Sequence, residues 1–205
     1  MTQIHTLDPD RKVGAETGKS WRQKIESGFW QRYLGDGPVC EIGFRGHEPG
    51  HLPLTENTIG VDLDYLGYNG LRLPFGDGHF SALYSSHCLE HITQSRTVIQ
   101  DYHRVVRTGG HIILVVPHAY LYERTLRIPP SRWNGDHKRP YTPAILLMDI
   151  EDALLPNTYR VRHCCDNDAG YDYSRGPDEH AHGCYEIELV IQKIVPPAWR
   201  VEETG

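Results

Sequence analysis

Four short stretches place polar or reactive side chains directly after apolar runs. Val39-Cys40 leads into Glu41-Ile42-Gly43-Phe44-Arg45-Gly46, an acid followed by glycines spaced G-x-x-G. A glycine at such a turn lets a ligand approach the backbone, because no Cβ stands in the way. Ile59-Gly60-Val61 leads into Asp62, whose carboxylate there can accept two charge-assisted hydrogen bonds from a ribose diol. The run beginning at Phe80 leads into Ser85-Ser86-His87-Cys88-Leu89-Glu90-His91, and a fourth run leads into Pro117-His118. Taken alone, the first two features also suit an ordinary tight turn and a solvated Asp. A nicotinamide dinucleotide site is a further alternative, but its fingerprint is G-x-G-x-x-G opening a long helix. Here the segment after Gly46 carries Pro49 and Pro53 and cannot form a regular helix, so a pyrophosphate seat at a helix N-terminus gains little support.

The elements that must carry these residues alternate in type. Ser20 to Leu34 reads as a helix, with Trp21, Ile25, Phe29 and Tyr33 on one face, Ser20 and Gln23 as a capping box, and Gly35 and Gly37 ending it. Strands are expected at 39–42, 59–62 and 80–86. A helix over 96–107 carries Val98, Ile99, Tyr102, Val105 and Val106 inward and stops at Gly109-Gly110. His111 to Val116 is a buried strand closed by Pro117. Thr142-Pro143 starts a helix whose apolar face is Leu146, Leu147, Ile150 and Leu154. Residues 159–164 and 185–194 read as the last two strands. This alternation predicts an α/β fold built on a mostly parallel sheet. Residues 1–17 are polar and aperiodic and read as a flexible arm, leaving 18–205 as a single domain.

Composition narrows the function classes. The 205 residues carry a formal net charge of −6 and no basic stripe, which argues against a nucleic-acid partner and for a small molecule or a glycan. No apolar run approaches the ~20 residues of a membrane span. The N-terminus lacks the apolar core of a secretory signal, so the cytoplasm is the expected compartment. The five cysteines include no C-x-x-C pair and read as reduced thiols.

In order, these blocks resemble class I S-adenosylmethionine-dependent methyltransferases, in particular the broad type 11 group. Glu41 to Gly46 looks like the acid-x-Gly-x-Gly motif. Gly60-Val61-Asp62-Leu63-Asp64 looks like the second motif. Leu73-Pro74-Phe75-Gly76-Asp77-Gly78-His79-Phe80, then Ser85 to Ile92, is similar to the family's "LPF … LEH" stretch, and Arg104 to Gly110 resembles its "RVLKPGG" turn. The resemblance spans about residues 38 to 118. It implies a Rossmann-like fold with helices on both faces, and S-adenosyl-L-methionine as cofactor. It also implies a cofactor site drawn from Glu41, Gly43, Phe44, Arg45, Gly46, Asp62, Leu63, Leu71, Ser86 and His87. Two departures stand out. A proline-containing loop replaces the helix after the first motif. Only Tyr65 to Arg72 fills the place of a helix, a strand and an acid, which predicts a sheet shortened at the edge after the second strand. The adenine wall would then fall to Asn69, Gly70 and Leu71. Such an edge could be covered by a second copy in a homodimer. A scaffold that binds the cofactor without turnover is the alternative these departures raise.

The second half, including Tyr120 to Arg124 and Pro130 to Arg139, is similar to small methyltransferase-like proteins of surface-polysaccharide biosynthesis, which implies O-methyl transfer to a glycan or small-molecule hydroxyl. A hydroxyl acceptor benefits from a base titrating near neutrality, and His118, His137 and His87 are the candidates in that order. The competing reading of each is a structural histidine hydrogen-bonded in a loop. Arg132, Trp133 and Arg139 are candidate acceptor-binding residues, or a solvated basic loop. His163, Cys164, Cys165, Asp166, Asp168, His180, His182 and Cys184 invite a metalloprotein reading, but their spacing fits no zinc pattern and no metal is expected.

Overall fold

The computed structural model describes residues 5–44, 49–124 and 132–199. Its strands are β1 (Val39–Ile42), β2 (Thr58–Val61), β3 (Phe80–Ser86), β4 (Val106–Pro117), β5 (Tyr159–Asn167) and β6 (Glu186–Lys193). They form one sheet in the order β2-β1-β3-β4-β6-β5. All run parallel except β6, which pairs antiparallel with both β4 and β5. This is the expected Rossmann-like α/β architecture, and β2 is its edge. Residues 62–79 contain neither helix nor strand, so the shortened edge predicted from the spacing is present.

Alternation along the strands divides the core into two layers. Cys40, Ile42, Leu83, Ile112, Leu114, Leu189 and Ile191 face one side, where α3 (Ser95–Val105) and α4 (Pro143–Ala153) cover them. Val39, Ala82, Tyr84, Ile113, Val115 and Val190 face the other, against α1 (Ala15–Glu26) and α2 (Phe29–Tyr33). Thr142 caps α4 as expected, its hydroxyl accepting from the Ile145 N–H at 3.3 Å.

Four local expectations are corrected. The single helix over 20–34 is two helices, broken where Gly28 takes φ +73°. Ser20 lies inside α1 and is no cap. Its hydroxyl bonds Lys24 and Glu186 instead. The described part of the N-terminal arm is packed rather than loose. Val13 and Thr17 are buried, and Arg11 Nε donates to the Pro53 carbonyl at 2.6 Å. The Gly109-Gly110 pair does not stop α3, which ends at Val105. The pair sits in a bulge of β4 opposite Phe80–Ala82, and a Cβ on Gly110 would run into the Ser81 carbonyl and the Val106 side chain.

Candidate active site

Parallel sheets present ligands at the carboxyl ends of their strands. Ile42 pairs with Ser85 across β1 and β3, so the turn at Gly43 and the residues Ser86 and His87 emerge side by side. The Gly43 N–H donates to the Val61 carbonyl at 2.8 Å, and its φ of +79° favours glycine. A Cβ at Gly43 would overlap the Cys88 sulfur, so the room this glycine leaves is filled by the chain itself. The Phe44 ring lies against Gly60 in the same way. Behind the turn, the buried Glu41 carboxylate accepts from the Leu54 N–H at 2.9 Å and anchors the loop that precedes β2. Burial pushes the Glu41 carboxyl up to about 7, against the opposing pull of that hydrogen bond and of Arg11.

His87 closes β3 in the left-handed region, φ +50°, a costly position for a non-glycine residue. Its Nε2 lies 3.3 Å from Glu186 and 3.5 Å from Glu16, and its Nδ1 lies 3.8 Å from Glu90. Burial alone lowers the His87 pKa, but the carboxylates of Glu186, Glu90 and Glu16 outweigh it and raise it above the ordinary value. Burial also raises the Glu90 carboxyl.

A 3-10 turn, Leu89–His91, follows, and the loop carrying His137 is tied to it by Lys138 and Arg139 N–H groups donating to the Glu90 carbonyl at 2.7 and 3.2 Å. One turn of π-helix, Ala119–Glu123, carries the buried Glu123 to the Nδ1 of His137. The result is one cavity of about 310 Å³. Its size is at the low end for a small-molecule pocket.

Of the predicted cofactor residues, Glu41, Gly43, Phe44, Ser86 and His87 line this cavity. Arg45 and Gly46 lie outside the described residues. Asp62, Leu63 and Leu71 are not in the lining. Asp62 follows β2 directly and accepts from the Leu63 N–H at 2.7 Å, Leu63 is exposed, and Leu71 is partly buried against the core. Of the candidate bases, His87 and His137 line the cavity and His118 does not. His118 Nδ1 accepts from the Tyr120 N–H at 3.1 Å, capping the π-helical turn, and burial lowers its pKa. None of the three acceptor candidates reaches the cavity. Arg132 pairs with Asp178, Trp133 packs against the cluster of Tyr122, Ala181 and Tyr185, and Arg139 donates to the buried Asp149 at 2.8 Å.

Glu16, Glu90, His91, Tyr122 and Tyr185 line the cavity and were not foreseen as site residues. Glu90 and His91 carried a signal, since they stand in the strand-end segment. Glu16 carried none, since its polar surroundings read as an arm. The C-terminal His/Cys collection does not converge. Among the described residues, the groups of three potential ligands that come within 4.8 Å of one another are Glu90-His91-His137 and Glu16-His87-Glu186. Cys164 and Cys165 are exposed, Cys184 is buried, and His163 faces Glu188 at 3.3 Å.

Residues 50–114, under half of the chain, match the Methyltransf_11 family model, a methyltransferase domain. No curated protein matches the chain. Among solved structures, a Bacillus halodurans protein with a provisional methyltransferase designation aligns at 13% identity and a TM-score of 0.56, covering 89% of this chain and 100% of its own. An S-adenosylmethionine-dependent methyltransferase from Mesorhizobium loti aligns at 13% identity and TM-score 0.52, covering 88% and 100%. The cyclase SpnF aligns at 13% identity and TM-score 0.55, covering 95% and 88%. At these identities the likeness is one of fold, and the chain has the Rossmann-like fold of S-adenosylmethionine-dependent methyltransferases.

Proposed function

We propose that this protein is an S-adenosylmethionine-dependent methyltransferase acting on a hydroxyl of a small molecule or of a sugar unit small enough for the cavity. The observation that carries the reading is the convergence of the Glu41–Phe44 turn with Ser86 and His87 on one cavity at the ends of β1 and β3. The lining suits this cofactor. Glu16 stands at the cavity and, although burial opposes its ionisation, His87 and Lys19 hold its carboxyl below the ordinary value, so it offers negative charge to a sulfonium or an ammonium. The buried Ser86 hydroxyl stands at the cavity, where it can donate to a bound ligand. Bound S-adenosylmethionine supplies a methyl group activated by positively charged sulfur. Glu41 would orient the turn, Gly43, Phe44 and Ser86 would border the cofactor, and Asp62, at the end of β2 outside the lining, would reach in to the ribose. In this reading the neutral form of His87, its ring held by Glu186 and Glu16, would accept the proton of the acceptor hydroxyl. The shortened edge beyond β2 favours a second reading, a cofactor-binding protein without turnover.

Calorimetry with S-adenosylmethionine and S-adenosylhomocysteine tests the reading. Binding of either, weakened about tenfold or more by Asp62→Ala through loss of a charge-assisted hydrogen bond, is expected. Absence of binding at millimolar ligand overturns it. Transfer of labelled methyl to a panel of hydroxyl compounds, lost in His87→Ala with cofactor affinity retained, separates the enzyme from the scaffold.

A further inference from the structure

We propose that Glu90, His91 and His137 form a seat for one divalent transition-metal ion in the wall of this cavity. The Glu90 Oε1 lies 3.7 Å from His91 Nε2 and 3.9 Å from His137 Nε2. These separations are too long for hydrogen bonds. Each is short enough for one ion to touch both atoms of the pair, since two ligands each at roughly 2.1 Å from a metal can stand up to about 4.2 Å apart, and all three ligand atoms lie within 4.8 Å of one another.

Two independent features point to a ligand there. The Glu90 side chain is 1% exposed, yet neither carboxylate oxygen has a hydrogen-bond partner on another residue. A buried carboxylate left in that state is expensive, and an ion at the shared point would satisfy it. The second feature is the state of His137. Its Nδ1 is bonded to Glu123, itself 2% exposed, and this turns the other ring nitrogen toward Glu90. A carboxylate behind an imidazole, fixing its tautomer and leaving Nε2 free to coordinate, is the usual support of a metal-bound histidine.

The seat is also held in place from outside. The Lys138 and Arg139 N–H groups lock the His137 loop to the Glu90 carbonyl, and the His91 and His137 rings meet edge to face at 4.8 Å. One carboxylate and two imidazoles select zinc, manganese, iron(II) or cobalt over calcium and magnesium. All three residues line the cavity, which leaves the remaining coordination positions open to an oxygen ligand such as an acceptor hydroxyl. That use of the ion rests on the methyl-transfer reading, whereas the seat itself does not.

The test uses the full chain with Cys164→Ser and Cys165→Ser, so that exposed thiols do not compete for metal. Chelator-stripped protein is titrated with Co²⁺ and Mn²⁺ by calorimetry, and Co²⁺ is also followed by its visible absorption. One equivalent binding at micromolar concentration is expected. Glu123→Gln, a positioning change, should weaken binding about 10–100-fold without altering stoichiometry. His91→Ala, at a residue packed only in part, should weaken it at least as much. No binding of either ion at millimolar concentration overturns the proposal. So does an affinity unchanged in His91→Ala, which would move any ion to Glu16, His87 and Glu186. S-adenosylhomocysteine titrated into the same stripped protein reports on the cofactor site separately, so the two readings fail independently.

Discussion

The Lys24 ammonium of α1 lies 2.7 Å from the Glu188 carboxylate of β6, with both side chains buried. The same ammonium lies 3.7 Å from Glu186, whose other oxygen reaches His87. One ion cluster therefore joins the helix at the cavity mouth to the strand that supports the candidate base. Burial opposes ionisation of Glu188, but His163, Lys24 and Asn167 hold its carboxyl down to about 2. Removing the cation leaves two buried carboxylates facing each other. Lys24→Met should lower the unfolding free energy by about 3–5 kcal/mol. Urea denaturation measures this, with an unchanged slope showing that the same surface is exposed. A loss below about 1 kcal/mol would mean the pair is solvated like a surface bridge.

Glu41 predicts a pH dependence of stability. Its carboxyl is pushed up by burial to about 7 from 4.5. The folded chain thus holds this proton more tightly than the unfolded chain. The stability it contributes is fully present below about 4.5 and is lost as pH rises toward about 7. The loss is on the order of 3 kcal/mol. Glu41→Gln does not titrate, so between about pH 5 and about pH 7.5 wild type should lose more stability than the variant. Parallel curves for the two proteins would show that Glu41 ionises in the folded state as it does in water.

The sheet was readable because its signal is local. Runs such as His111–Val116 alternate between two apolar layers, and a strand followed by glycine or an acid marks a strand end without knowledge of its neighbours. The shortened edge was readable by arithmetic, since too few residues separate Asp62 from Leu73. The cavity lining was only half readable. His118 also follows a strand, and nothing local shows that its ring turns back to cap the Tyr120 amide while His87 turns toward the cavity. Glu16 and Glu186 are brought to His87 from opposite ends of the chain. Arg139 looks available for a ligand until Asp149 is seen buried beside it. The Gly109-Gly110 pair misled because a bulge and a helix stop make the same demand on the residue.

Gly43 is where the sequence and the structure agree on the residue and differ on the reason. A glycine was expected so that a ligand could approach, and the structure puts the Cys88 sulfur in that space. Two costs should therefore appear in Gly43→Ala. The φ of +79° disfavours a side chain by about 1–3 kcal/mol, and crowding the sulfur adds a comparable amount. Cys88→Ala should remove the second cost and leave the first. The double variant should then be more stable than the sum of the single changes predicts, by about 1 kcal/mol or more. Thermal or urea unfolding of the four proteins measures this coupling. Strict additivity would show that the sulfur is not what the glycine accommodates, and the space over Gly43 would revert to the cofactor. S-adenosylhomocysteine binding by the double variant then distinguishes the two roles. Affinity recovered together with stability means that Gly43 acts by shaping the turn. Affinity still lost when stability has returned means that the ligand itself needs the bare backbone.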